Sequence, residues 1–178
     1  VIVAAHEVFH QKGYHEATMT DIAGLLGVTK PTIYHYFRGK EDLFAAVAEY
    51  ERKILTDLIF EAFDTRDFLS GAEFFFDSII TSYLSKLTFE SIALTSSDEN
   101  VRKIIAEDRE AFLAPIADFL RDRQTRGEVR NDVNPRLLAC SLNALFQGLL
   151  VYILQGMERE KVKEAWIVSV RNLTQTSY

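Results

Sequence analysis

The residues Ile22-Ala23, Gly27-Val28-Thr29, Ile33-Tyr34-His35-Tyr36-Phe37 and Lys40-Glu41-Asp42-Leu43, in that order and spacing, decide how this chain is read. Ala23 is small where two helices cross closely, and Gly27 permits a sharp turn between them. Val28 and Ile33 are expected to plug a small core, and Tyr36-Phe37 to close the short helix against the next one. Upstream, Thr18 with Asp21 three residues later has the form of a capping box opening a helix that carries Ile22, Ala23 and Leu26. Thr29 is placed to cap the following short helix, and Pro31 falls in its first turn, where a missing N–H costs nothing. Ahead of both, Ile2, Ala5, Val8 and Phe9 share one face of a helix over 1–12, which Gly13 ends as a left-handed glycine would. Three short helices with a glycine-centred turn between the second and third form a helix-turn-helix.

Working outward, apolar residues recur at helical spacing almost everywhere, prolines stand only at 31, 115 and 135, and alternating β-branched runs are missing. The pattern predicts an all-α chain of about nine helices. A fourth helix over 39–63 has Leu43, Phe44, Val47, Ile54, Leu58 and either Ile59 or Phe60 as its buried stripe. After a polar linker, Ser70 with Glu73 reads as a second capping box, and helices follow over 70–87, 89–95, 98–126, 135–155 and 159–176. The division expected is a helix-turn-helix domain over 1–45 and a larger helical domain over 46–178.

Nearly half the residues are apolar (48%) and 26% are charged, an ordinary globular balance. The longest apolar stretch, near 142–154, is interrupted by Asn143, Gln147 and Gly148, so no membrane span is expected. A net charge of −6 is unusual for a nucleic-acid binder, but Lys30, Arg38 and Lys40 form a local cationic cluster with no acidic residue between Thr29 and Lys40. Cys140 is the sole cysteine, which excludes an intrachain disulfide and fits a reducing cytoplasm; its apolar helix predicts a buried, inert thiol. The chain opens at Val1 inside a helical pattern and without Met, which predicts a short preceding segment in the natural protein.

The span from Ala5 to Val47 resembles the tetracycline-repressor (TetR) family of transcriptional regulators, through Phe9, Gly13-Tyr14, Thr18, Ile22-Ala23, Gly27-Val28-Thr29, Ile33-Tyr34, Tyr36-Phe37 and Lys40-Glu41-Asp42-Leu43. Beyond it the likeness is architectural, with a Gly127-Glu128-Val129-Arg130 turn leading to Asn134-Pro135. The resemblance implies a homodimer, usually a repressor, with a divergent C-terminal domain that binds a small molecule. It places Lys30, Pro31, Thr32 and His35 toward base edges, where Lys30 would donate to guanine and Thr32 or Pro31 touch a thymine methyl. It places Thr18, Tyr34, Tyr36 and Lys40 on phosphates, with Thr29 both capping its helix and touching phosphate. For Tyr34 and Tyr36, burial in the core is the competing reading. The cationic arm common ahead of this motif is not in the sequence, so this stretch is expected to bind DNA more weakly than the full-length protein.

The remainder is rich in phenylalanine, and Phe74-Phe75-Phe76 cannot all face one way on a helix, since successive residues turn by about 100°. These rings either fill a core or line a cavity for a small apolar ligand. Phe75, Ile79, Tyr83, Phe112, Ile116, Phe119, Asn143, Phe146 and Gln147 are the candidate ligand contacts. Asn143 and Gln147 either orient a ligand or mark a wet face. For a dimer, Leu138, Leu142, Leu145, Leu149 and Ile153, with Gly148 allowing close approach, could pair with Val162, Trp166, Val170 and Leu173 in a four-helix bundle.

All four histidines lie before residue 36; His6 and His10 have the i,i+4 spacing of a chelating pair, but no third ligand follows in register, so no metal site is expected. With no histidine in the larger domain and no glycine-rich phosphate loop, no enzyme and no cofactor are expected. The expected function is sequence-specific DNA binding by a cytoplasmic homodimer, as a repressor released from a palindromic operator by a small, largely apolar effector. The alternative is the same DNA-binding fold acting as an activator, or under a protein partner, without a small ligand.

Overall fold

Thr18 and Asp21 close the capping box foreseen for them: Asp21 N–H donates to Thr18 Oγ1 at 3.2 Å, and Thr18 N–H donates to Asp21 Oδ2 at 2.9 Å. A computed structural model describes residues 1–83 and 98–175, with side chains at 1–79 and 98–175. Among the described residues there are eight helices and no strand: α1 (Ile2–Lys12), α2 (Met19–Leu26), α3 (Lys30–Tyr34), α4 (Lys40–Asp64), α5 (Phe68–Tyr83), α6 (Glu99–Thr125), α7 (Pro135–Leu154) and α8 (Arg159–Thr174). The short helix expected over 89–95 lies outside the described residues.

The local signals act much as their chemistry dictates. Gly27 takes the left-handed conformation (φ 66°, ψ 27°), and Val28 N–H turns back to Ala23 O at 3.0 Å. Gly13 also has positive φ (81°), but its ψ of 169° carries the chain away extended rather than in the left-handed cap expected of it. Thr29 stands at the start of α3, yet its hydroxyl pairs with Thr32 Oγ1 at 3.0 Å and caps no backbone N–H. The box expected at Ser70 and Glu73 is displaced one turn upstream. Asp67 accepts from Leu69 and Ser70 N–H, both at 3.1 Å, so the helix has already begun where Ser70 was expected to start it. Asp98 and Asn134 accept in the same manner from the first turns of α6 and α7.

The chain clusters into two compact units, Val1–Ile54 with Ser85–Arg109, and Leu55–Leu84 with Glu110–Tyr178, so α4 and α6 each contribute residues to both. In the first unit, Ala5, Phe9, Ile22, Ile33, Leu43, Val47 and Val101 are fully buried. Phe44 meets Phe9 and Tyr14 edge-on, at 6.1 and 4.9 Å between ring centres. Val101, Ile104 and Ile105 complete this core, which therefore draws on α6 as well as on the first half-hundred residues. Two expectations fail here. Val28 stays 39% exposed because the left-handed turn at Gly27 carries it outward, and Ile54 is 50% exposed. Leu55, one residue on, is the buried position: the stripe on α4 drifts in phase along a long helix.

In the second unit, Phe76, Leu120, Leu138, Leu150, Val162 and Val170 form the deepest layer. Trp166 donates its indole N–H to Ala72 O at 2.9 Å. At the surface, Lys163 bridges Asp77 and Glu73 at 2.7 and 2.9 Å. By length and composition α7 is apolar enough to cross a bilayer, but Leu138, Ala139, Phe146, Leu149 and Leu150 bury one of its faces in this unit.

Candidate nucleic-acid interface

In α3 only Ile33 is buried, so a single side chain anchors the helix and the rest of its surface is outward. Thr29, Lys30, Pro31, Thr32, His35 and Tyr36 are exposed, and so is Thr18 at the head of α2. Tyr34 and Tyr36 are 50% and 68% exposed, which removes core packing as the reason for these rings. It also corrects the closing role expected of Tyr36: Phe37 alone of that pair packs against the core. His35 lies edge-on to Tyr36 at 5.1 Å.

The three cations of the cluster separate into two kinds. Lys30 and Arg38 are exposed, with no side-chain hydrogen bond or ion pair among the described residues. Lys40 is partly buried, and its Nζ donates to Tyr14 O at 2.7 Å, Ala17 O at 3.1 Å and His15 O at 3.2 Å. Those carbonyls belong to the link between α1 and α2, so the ammonium holds that link in place. It also lies 4.5 Å from the centre of the Tyr14 ring. Burial, with Glu41 and Asp98 adding, pushes the Tyr14 hydroxyl up to about 12, and it stays protonated. On α2, the bond from Lys12 and those from Thr18 hold the Asp21 carboxyl down at about 2.

Behind this face, α4 supplies a residue that the register of α1 alone does not reveal. Glu51 Oε1 stands 3.3 Å from His6 Nε2 and 2.5 Å from His10 Nε2. It is the third potential ligand thought to be missing, separated by forty-one positions from His10 and so invisible to local spacing. Burial, and then the neighbouring His10, lower the pKa of His6 and favour its neutral form.

The second unit holds a cavity of about 80 Å³, open to one side. Seven of the nine expected ligand contacts line it: Phe75, Phe112, Ile116, Phe119, Asn143, Phe146 and Gln147. Ile79 is buried but not on its wall, and the side chain of Tyr83 lies outside the described residues. Leu55, Phe63, Phe68 and Trp166 also face it, Trp166 from a position expected to pair two copies. The amides of Asn143 and Gln147 make no hydrogen bond among the described residues.

Half of the expected pairing residues turn inward. Leu138, Leu149, Val162, Trp166 and Val170 are buried within the chain's own core. α7 is apolar on nearly every side, so periodicity finds a stripe without saying which way it faces. The outward apolar residues are Leu137, Tyr152 and Leu154 on α7 and Val168 on α8. Cys140 is exposed, contrary to the expected burial, because it falls on this outward side of α7.

Residues 1–47 match the family model described as bacterial regulatory proteins, tetR family. The HTH-type transcriptional regulator SrpR of Pseudomonas putida is 31% identical over 182 aligned positions, covering 96% of this chain and 79% of that protein. The HTH-type transcriptional repressor ComR of Escherichia coli is 27% identical over 172, covering 90% and 80%. Among solved structures, the reduced form of E. coli NemR superposes with a TM-score of 0.81 at 18% identity, over 99% of this chain and 95% of that one. An exposed α3 held behind a Thr18–Asp21 box, carried by a chain so similar to SrpR over most of its length, places the protein in the TetR family of helix-turn-helix, DNA-binding transcriptional regulators.

Proposed function

We propose that this chain works in the cytoplasm as a homodimeric repressor that leaves a palindromic operator when a small, largely apolar effector fills the cavity of its second unit. The observation that carries the reading is the cavity itself: an aromatic and aliphatic wall, with the amides of Asn143 and Gln147 unengaged among the described residues. Such a wall suits an apolar molecule with one or two hydrogen-bonding groups. On the DNA, Lys30, Pro31, Thr32 and His35 address base edges, while Thr18, Thr29, Tyr34 and Tyr36 address phosphates. Arg38 joins the phosphate contacts in place of Lys40, whose ammonium is engaged by the carbonyls of 14, 15 and 17. The dimer forms through the outward faces of α7 and α8, with Leu142, Leu145, Gly148, Ile153 and Leu173 at their margins, setting two recognition helices about 34 Å apart.

The test is to map the genomic sites bound by the tagged protein, and then to titrate one such duplex with a panel of small apolar molecules. A molecule that raises the melting temperature should weaken operator binding by about 5–150-fold, the usual size of such a coupling. Effector-saturated protein that holds the operator with unchanged affinity rejects release by effector. A dimer that raises transcription on binding rejects the repressor.

A further inference from the structure

We infer that His6, His10 and Glu51 form a binding site for one divalent transition-metal ion of borderline softness, with Zn²⁺ as its type, clamping α1 to α4 inside the DNA-binding unit. His6 and His10 stand one turn apart on α1 and so project from one face, their ring centres 4.1 Å apart. Glu51 meets both from α4, and the ligand atoms of all three lie within 4.8 Å of one another. Zinc holds nitrogen and oxygen ligands at about 2.0–2.2 Å in a tetrahedron, which sets ligand atoms roughly 3.4 Å apart. The 3.3 Å between His6 Nε2 and Glu51 Oε1 already has that length. The 2.5 Å between His10 Nε2 and the same oxygen is a hydrogen bond, which the ion would replace by opening it about 1 Å.

The donor set selects the metal class. Two imidazoles and one carboxylate suit Zn²⁺, Co²⁺ or Ni²⁺, whereas Mg²⁺ and Ca²⁺ take oxygen ligands throughout. All three side chains are partly exposed, which leaves an entry path and a fourth position for water. Tyr50 packs edge-on against the His6 ring at 5.5 Å and fixes its orientation. The site is separate from the cavity of the second unit, so it does not depend on the effector reading.

The experiment is a Co²⁺ titration of the full chain, followed by visible absorption and then by Zn²⁺ displacement. One intense four-coordinate Co²⁺ band per chain is expected, bleached by one equivalent of Zn²⁺. In Glu51→Gln, checked for native circular dichroism, affinity should fall at least about 10–100-fold, the loss that even outer-shell changes cause. His6→Asn should do the same if Glu51→Gln fails to fold, and Cys140→Ser should leave the band intact. Co²⁺ that stays six-coordinate, a band unchanged in Glu51→Gln and His6→Asn, or one lost in Cys140→Ser would overturn the assignment.

Discussion

Lys40 Nζ stands 2.7 Å from the carbonyl oxygen of Tyr14 and 4.5 Å from the centre of the same residue's ring, so one ammonium fastens a loop and covers an aromatic face together. Truncation leaves three carbonyls short of a donor. Lys40→Ala should therefore cost about 1.5–3 kcal/mol of stability, read from urea unfolding. The salt slope of DNA binding should stay where it was. A fall of roughly 0.9 in that log–log slope would instead return Lys40 to the phosphate contacts.

Asp21 gives the helix-turn-helix an acid limit. Its carboxyl lies near 2 in the folded chain against 3.8 for the free group, so folding favours the ionised form. The stabilisation is complete above the unfolded value, fades as pH falls from about 4, and is gone below about 2. Unfolding at graded pH should show this slope in the natural chain. Asp21→Asn should be less stable at neutral pH and flatter across that window; an equally steep curve would place the acid sensitivity elsewhere.

Two residues past α3, Tyr36→Phe removes a hydroxyl and no core contact. Melting should be unaffected, while operator affinity drops by about 1 kcal/mol, near fivefold, if the hydroxyl holds a phosphate. Lys30→Ala should act differently, costing about 1–3 kcal/mol on the preferred operator and little on its altered-base variants. Equal losses on every duplex would make Lys30 a phosphate contact.

Trp166 hangs the second unit together through Ala72, 2.9 Å from its indole N–H in a buried setting. Phenylalanine there keeps an aromatic ring but removes the N–H that ties α8 to the Ala72 carbonyl of α5. Trp166→Phe should lower stability by roughly 1–3 kcal/mol in chemical unfolding.

The pairing face is tested by charge. Val168→Asp and Leu137→Asp alter exposed positions, 53% and 64% accessible, and should leave the folded chain intact by circular dichroism. Sedimentation should then find monomers in place of dimers. Dimers of undiminished affinity in both variants would move the interface off α7 and α8.

Much of the DNA-binding unit was legible because its punctuation is local: Thr18 with Asp21, Gly27 and Pro31 each act within four residues. Distant partners were not. Nothing near Lys40 announces Tyr14, Glu51 lies far from the histidines it meets, and Val101, with Ile104 and Ile105, seals a core otherwise built from the first fifty residues. Composition identified the cavity-facing rings, since any aromatic on an inward face of the second unit had a fair chance of lining its cavity. It did not separate inward from outward residues on α7, which offers two apolar sides, and only packing shows which one the chain itself has taken.

With Ile33 as its sole buried side chain, α3 leaves the rest of its side chains outside the core of its own fold. Surface substitutions of that kind usually shift stability by no more than about 0.5 kcal/mol. Lys30, Pro31, Thr32, His35 and Tyr36 are thus open to replacement with the scaffold intact, and if this face reads the operator, as proposed, a lineage, or an engineer, can retarget it without first rebuilding the protein that carries it.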